Sequence, residues 1–467
     1  MKMWSGRFRQ PLDPAFERWQ RSFEFDRRLL AHELAASSAH ARALKGAGIV
    51  DSNELITILQ GLERISEQAA SSPAFLEDDE VEDVHHFVEK RLVSLIGDVG
   101  YKLHSGRSRN EQIATDLRLY VRAAIDQVRA DLAKLGGVLL DRAQQAGNAA
   151  MPAYTHLQRA EPVLVSHWLL AYVEMFLRDA DRLADCRKRL NVCPLGSGAV
   201  AGSTLPLDRP AMASDLDFDQ PTANSMDATC DRDFVIEFVN SLSLLALHLS
   251  RWAEEMIWFS SQEYSFVRLP EAYSTGSSAM PQKKNPDLLE LTRGKSARLI
   301  GDATALQICM KGLPLAYNKD LQETQEPLFD ATDTVLSLLP LVTGWMKAVG
   351  FNYEAMQKAA QTGFMNAWAA ATYLVQRGVP FRLAHEQIGK AVQLCLEKHC
   401  ELQDLSLEEL HSVNSKFDDD FYACLKLESV LALHDVSGGT APTRVRQAMV
   451  DARQRIESIR EDVHAHA

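Results

Sequence analysis

IATDLRLYVRAAIDQVRADLAKLGGVLLDR, residues 113–142, sets aliphatic side chains on one stripe at three-to-four spacing for nearly thirty residues. That is the period of a helix that buries one face, over a length beyond the usual globular helix. Similar patterns cover Val163 to Leu190, Asp231 to Phe259, Leu288 to Met310 and Asp320 to Ala348, with Leu242, Leu245 and Leu249 on one face of the third. No valine- or isoleucine-rich strand series alternates with them, and no GxGxxG follows a strand candidate, which argues against a doubly wound nucleotide fold. The expectation is an all-α chain built on a long central helical bundle. SLSLLALHLSRWAEEMIWF (241–259) is apolar over more than one stripe, so self-association is expected as well.

Outside the long helices the patterns shorten. Asp26 to Leu44 reads as a helix stopped by Gly46 and Gly48, SNELITILQGLERISEQ (52–68) as one opened by a Ser/Asn cap, and Asp79 to Leu95 as a third. From about Gln361 shorter segments such as RLAHEQIGKAVQLCLEKHC read as a smaller helical domain. The domain expectation is therefore 1–112, 113–360 and 361–467, consistent with about 150 residues per domain.

The composition narrows the function classes. With 50 Lys and Arg against 63 Asp and Glu the net charge is -13, which gives no general attraction to nucleic acid or an anionic membrane. Seven scattered cysteines with no CxxC suit reduced thiols in a cytoplasm better than a zinc knuckle or a disulfide framework. The start, MKMWSGRFRQPLDP, lacks the apolar stretch of a signal peptide, and a membrane span is not expected.

Four polar segments interrupt the bundle pattern: 104–116, 152–162, 275–290 and 312–326. In the third, Gly276, Ser277 and Ser278 offer backbone N–H groups and hydroxyls ahead of Lys283, Lys284 and Asn285. Such donors can hold a carboxylate or stabilise developing charge, while Pro286 and Glu290 also suit plain helix capping. His156, in a loop between Thr155 and Gln158, can exchange protons near neutral pH or serve structure alone. Arg107, Arg109 and Asn110 can grip a dicarboxylate or phosphate, or form a salt-bridged helix start with Glu111 and Asp116. Tyr317 and Gln322 can orient a polar substrate or cap a helix. His85 and His86 diverge by about 100 degrees on a helix and make no obvious metal pair.

GSSAMPQKKNP (276–286) fits the pattern G-S-x-x-M-x-x-K-x-N of the fumarase/aspartase superfamily. MWSGRF (3–8), SFEFDRRL (22–29), EDVHHFVEKRL (82–92), GRSRNEQ (106–112), YTHLQRAEP (154–162), CPLGSGA (193–199) and GLPLAYNKDLQE (312–323) resemble its argininosuccinate lyase branch in the same order. The resemblance implies a three-domain all-α subunit, a homotetramer with active sites assembled from several subunits, and reversible cleavage of argininosuccinate into arginine and fumarate. By position it implies Ser277 as catalytic base, His156 with Glu290 as its carboxylate partner, and Lys283 and Asn285 as loop residues that hold carboxylate or stabilise the intermediate. Ser22, Asn110, Thr155, Tyr317 and Gln322 fall on substrate contacts. Gln325 stands where the family has a substrate-contacting Lys; Ser105, Glu111, Thr275, Trp368 and Ala369 are further departures. Neither a cofactor nor a metal is implied. The alternatives are another fumarate-releasing lyase of the superfamily and a catalytically weak homologue.

Overall fold

The computed structural model describes residues 10–466, so the MWSGRF segment lies outside the described residues. The chain is 69% helical, and its few strands form short two-stranded pairs. Among the described residues six long helices dominate: Arg109–Ala146, Val165–Leu190, Asp233–Ser260, Asp287–Met310, Gln325–Ala348 and Pro442–Ala465. The first five match the five long sequence patterns with boundaries shifted by up to about five residues, whereas Pro442–Ala465 lies in the tail where only shorter segments were expected. Residues 158–164 form a strand, and Lys319–Thr324 is a 3-10 segment that ends where Gln325 opens the fifth long helix.

The Asp233–Ser260 helix reaches a mean hydropathy of 1.3 over 18 residues, the composition of a membrane span, although the sequence pattern had suggested none. Half of that window is buried inside the protein. Its Leu242, Leu245, Leu249, Trp252 and Met256 are all buried, as a core helix requires. Leu244 and Leu247, on its other side, remain 38% and 43% exposed.

Packing divides the chain into two compact units. The first takes the residues up to Gln127, Arg182–Ser243 and Arg298–Thr334; the second takes Val128–Asp181, Leu244–Ala297 and the residues from Val335 on. The sequence-based segments 1–112, 113–360 and 361–467 follow chain order, whereas these units follow packing and divide each of the first five long helices between them. In the first unit the alanine-rich Leu30–Gly46 helix buries Ala36, Ala39 and Ala43 with Cys193, Met212 and Phe218. The Ser52–Ser71 helix is capped by Asp51 in a reciprocal box with Glu54, one residue before the Ser/Asn pair read from the sequence. In the second unit, Trp252 meets Trp345 edge to face at 5.2 Å. The C-terminal helices there bury Leu374, Ile388, Cys395, Phe417 and Phe421 in a core of their own. Ala369 is buried and Trp368 is 55% exposed.

Candidate active site

The second unit carries Thr155, His156, Ser277, Lys283, Asn285 and Glu290. Ala150–Thr155 and Gln158–Leu164 pair antiparallel, with Thr155 opposite Gln158, so the segment read as a loop is a hairpin closed by His156 and Leu157 alone. Both turn residues have positive φ, 54° and 59°. A two-residue hairpin of this hand favours glycine or asparagine, so two ordinary side chains there hold a strained conformation. The result is an exposed imidazole at the tip of a paired hairpin.

Ser277 begins a loop between two short paired strands, Thr275–Gly276 and Lys284–Asn285. Its Oγ accepts hydrogen bonds from the backbone N–H groups of Ala279 (3.2 Å) and Met280 (3.1 Å). Two fixed donors on one hydroxyl oxygen are suited to stabilising negative charge there. Lys283 Nζ donates to Asn285 Oδ1 at 2.6 Å, and Asn285 Nδ2 reaches Thr275 Oγ1 and Gly276 O at 3.3 Å. Thr275 in turn donates to Asp287 Oδ2 through its hydroxyl (2.7 Å) and its N–H (3.0 Å). The hydroxyl is what this position uses, and a Ser would supply the same donor.

Glu290 is half exposed, with Arg293 at 4.0 Å. Among the described residues no hydrogen bond or ion pair joins it to His156, so the expected carboxylate partner is not in place within one chain.

The first unit carries Ser22, Asn110, Tyr317, Gln322 and Gln325. Asn110 donates to Ala199 O at 3.1 Å. The neighbouring turn depends on Gly198: at φ 60° it donates its N–H to Glu111 Oε2 at 3.0 Å, and a Cβ there would meet Gly202 O at 2.8 Å. Tyr317 follows Ala316, itself at φ 67°. Burial raises the Tyr317 phenol above its ordinary pKa, opposed by Arg232, a fully buried guanidinium whose Nε and Nη2 have no hydrogen-bond partner. Gln322 donates to Gln20 O at 3.2 Å. Gln325 is 2% exposed, and its Oε1 is without a partner.

The first unit also holds a buried ionic network that motif reading missed. Glu33 meets His85 Nδ1 at 2.8 Å and accepts from Ser37 (2.7 Å) and Gln112 (3.0 Å). Burial alone would raise the Glu33 pKa; His85 and Arg107 outweigh it and hold the carboxyl at about 2. Asp116 is pushed up by burial and then by Glu33. Arg107 and Arg109 are both taken up internally: Arg107 donates to Ser37 at 2.9 Å and lies 3.9 Å from Glu33, while Arg109 bridges Glu82 (3.2 Å) and Asp83 (2.9 Å). The salt-bridge alternative therefore holds for these arginines, with partners other than Glu111 and Asp116. His85 and His86 do face different neighbours, since His86 Nδ1 accepts from Glu82 N–H. Glu33, His85 and Asp116 offer ligand atoms within 4.8 Å of one another. The His85–Glu33 hydrogen bond and the adjacent Arg107 already balance that charge without a cation. The available sequence signal was a charged residue on an apolar helix face, Glu33 in LAHELAAS and Asp116 in IATDLRL.

Comparison with known proteins identifies the family. A family described as "Lyase" matches residues 6–301, and "Argininosuccinate lyase C-terminal" matches residues 364–432. The argininosuccinate lyase of Koribacter versatilis is 59% identical over 467 residues, covering all of both chains. The chain belongs to the argininosuccinate lyase family. That of Acidobacterium capsulatum is 58% identical over 460 residues, 97% of this chain and 94% of the relative. Among solved structures, an EDDS lyase in complex with formate is 25% identical with a TM-score of 0.83, covering 98% of this chain and 92% of that one. A class II fumarase from Schistosoma mansoni is 17% identical with a TM-score of 0.73, covering 85% and 90%. The family member described here is thus a lyase with the all-α fold of the fumarase/aspartase superfamily.

Proposed function

We propose that the chain catalyses the reversible elimination of argininosuccinate to L-arginine and fumarate, a step of arginine biosynthesis. The observation that carries this reading is 59% identity over the full length to an argininosuccinate lyase. The chemistry must remove a weakly acidic proton beside a carboxylate and hold the doubly charged aci-carboxylate that results. Ser277 acts as base, and the two N–H groups on its Oγ offset the cost of alkoxide character. Lys283 and Asn285 hold the succinyl carboxylate, with Thr155, Ser22, Asn110, Tyr317, Gln322 and Gln325 placing the rest of the substrate. His156 returns a proton to the departing guanidino nitrogen, with Glu290 as its orienting carboxylate.

The working form in this proposal is a homotetramer whose active sites draw residues from more than one copy of the chain. In support, Leu244, Leu247, Leu291, Ile300, Ile308 and Leu341 are exposed apolar residues on the long helices. The separation of His156 from Glu290 within one chain fits the same reading. A cytoplasmic location is supported by seven free cysteines, three of them buried. The three consecutive segments 1–112, 113–360 and 361–467 are proposed as the family's three domains. The test is fumarate release by the purified chain with argininosuccinate, against adenylosuccinate, aspartate and malate as competing substrates. Release from argininosuccinate alone is expected; preference for another of them would reassign the chain within the superfamily.

A further inference from the structure

Ser22 sits at the entry to the short Phe23–Asp26 helix with its side chain almost out of solvent, at 4% exposure, and Asp26 is equally buried at 3%. Its backbone N–H is already spent on Glu82 O at 2.9 Å. The Ser22 hydroxyl donates to Asp26 Oδ2 at 2.6 Å, and Asp26 Oδ1 accepts the Val84 N–H at 3.0 Å. A hydroxyl has one proton to give and two lone pairs. While Asp26 is ionised, that proton is committed and only the lone pairs of Ser22 remain on offer.

We propose that Asp26 is a positioning residue for the substrate: by taking the Ser22 proton it makes the Ser22 oxygen a pure acceptor, directed at an N–H donor on the arginyl part of argininosuccinate. This rests on the reading of Ser22 as a substrate contact given above. A protonated Asp26 reverses the polarity. Its own O–H then competes for the Ser22 oxygen, the Ser22 proton turns outward, and two donors meet where a donor and an acceptor should.

The surroundings place that reversal in the working range of pH. Burial and then the facing Asp83 carboxylate raise the Asp26 pKa to about 7, opposed by the Ser22 hydrogen bond, His85 and the Val84 N–H. Asp83 is itself tied to Arg109 at 2.9 Å, while His85 is shared with Glu33 and lies 3.8 Å from Asp116. Each neighbouring charge thus has a partner of its own, and Asp26 is left with a hydroxyl and an amide.

The experiment measures KM and kcat for argininosuccinate between about pH 6 and about pH 8 in wild type, Ser22→Ala, Asp26→Asn and the double variant. Wild type should show KM rising about tenfold as pH falls through neutrality, with kcat changing less. Asp26→Asn presents an amide N–H to the Ser22 oxygen and imitates the acid form: KM should be raised about tenfold at every pH, with no step. Ser22→Ala should raise KM and also abolish the step, and the double variant should match it. A KM step that persists in Ser22→Ala, or a further rise in the double variant, overturns the proposal, because Asp26 would then not act through Ser22. Raised KM in Ser22→Ala with unchanged KM in Asp26→Asn leaves the Ser22 contact standing and sinks Asp26 alone. Wild-type KM in Ser22→Ala at every pH removes the contact and the proposal with it, while absent turnover in wild type refutes the proposed function itself. Should Asp26→Asn fail to fold, the pH profiles of wild type and Ser22→Ala decide.

Discussion

The Ser277 loop and the Glu33 network are both dense in polar groups, yet they are built on opposite plans. In the loop the bonds are local: Ser277 to Ala279 and Met280, Lys283 to Asn285, Thr275 to Asp287, all exposed and at most twelve residues apart in sequence. In the network Glu33 reaches across 52 residues to His85 and 79 to Gln112, and every partner is buried. A local bond in water is cheap to remake, whereas a long-range buried bond exists only once the fold has closed around it. The loop can therefore carry chemistry without supporting the fold, and the network can support the fold without touching the reaction.

The largest expected effect breaks that division at its catalytic end. Ser277→Ala should lower turnover by at least about a thousandfold, as loss of an activated hydroxyl does. Its unfolding free energy should stay within about 0.5 kcal/mol of wild type, because the side chain bonds only to its own exposed loop. Near-normal turnover would remove Ser277 as base.

Glu33→Gln tests the other end. It removes the carboxylate that His85 and Arg107 share, leaving His85 only the more distant Asp116 at 3.8 Å, and should destabilise the chain by about 3 kcal/mol in urea unfolding at neutral pH. The sign of its pH dependence follows from the pKa. Glu33 is held at about 2, below its ordinary 4.5, so its contribution is complete above 4.5 and fades as pH falls toward 2. The gap between variant and wild type should close over that interval. A constant gap would show that the carboxylate's charge is not what the network uses.

The same contrast governs what the sequence could reveal. Local features were legible: the first five long helices in their apolar spacing, and the Ser277 loop in GSSAMPQKKNP, since everything that shapes it lies within a dozen residues. The hairpin under His156 was read as a loop because His156 and Leu157 are not the residues that signal a left-handed turn; pairing of the flanking strands overrides local preference. The ionic network stayed hidden for a different reason. Arg107 and Arg109 beside Asn110 look like an anion grip, and only the tertiary fold shows that Glu33, Glu82 and Asp83 already occupy them.

His156→Asn sharpens the comparison from the hairpin. Asparagine tolerates positive φ better than most residues, so the turn should survive and the substitution should report chemistry alone. Cleavage should slow by about a hundredfold, the range for loss of a positioned acid, with substrate still bound. An unchanged rate across neutral pH would take His156 out of the mechanism.

The smallest expected effect concerns Gln325, which belongs to neither plan: it is 2% exposed like the network, but its Oε1 has no partner. Gln325→Lys would bury an ammonium group, which costs stability in the free enzyme unless an anion meets it. If a substrate carboxylate reaches this position, binding supplies that anion, and the variant should bind at least as tightly as wild type, by up to about fivefold once desolvation has reduced the gross gain of a charged hydrogen bond. Measured in a Ser277→Ala background, that advantage should shrink as ionic strength rises, though weakly, because a buried pair is poorly screened. Gln325→Ala serves as the reference that removes the polar atoms altogether. Weaker binding by Lys than by Gln would mean that a cation, from the substrate or from a neighbouring copy, already faces the site, and that the unpartnered Oε1 is there to accept from it. Three equal dissociation constants would instead take position 325 out of the contact set and leave Tyr317 and Gln322 to hold that end of the substrate.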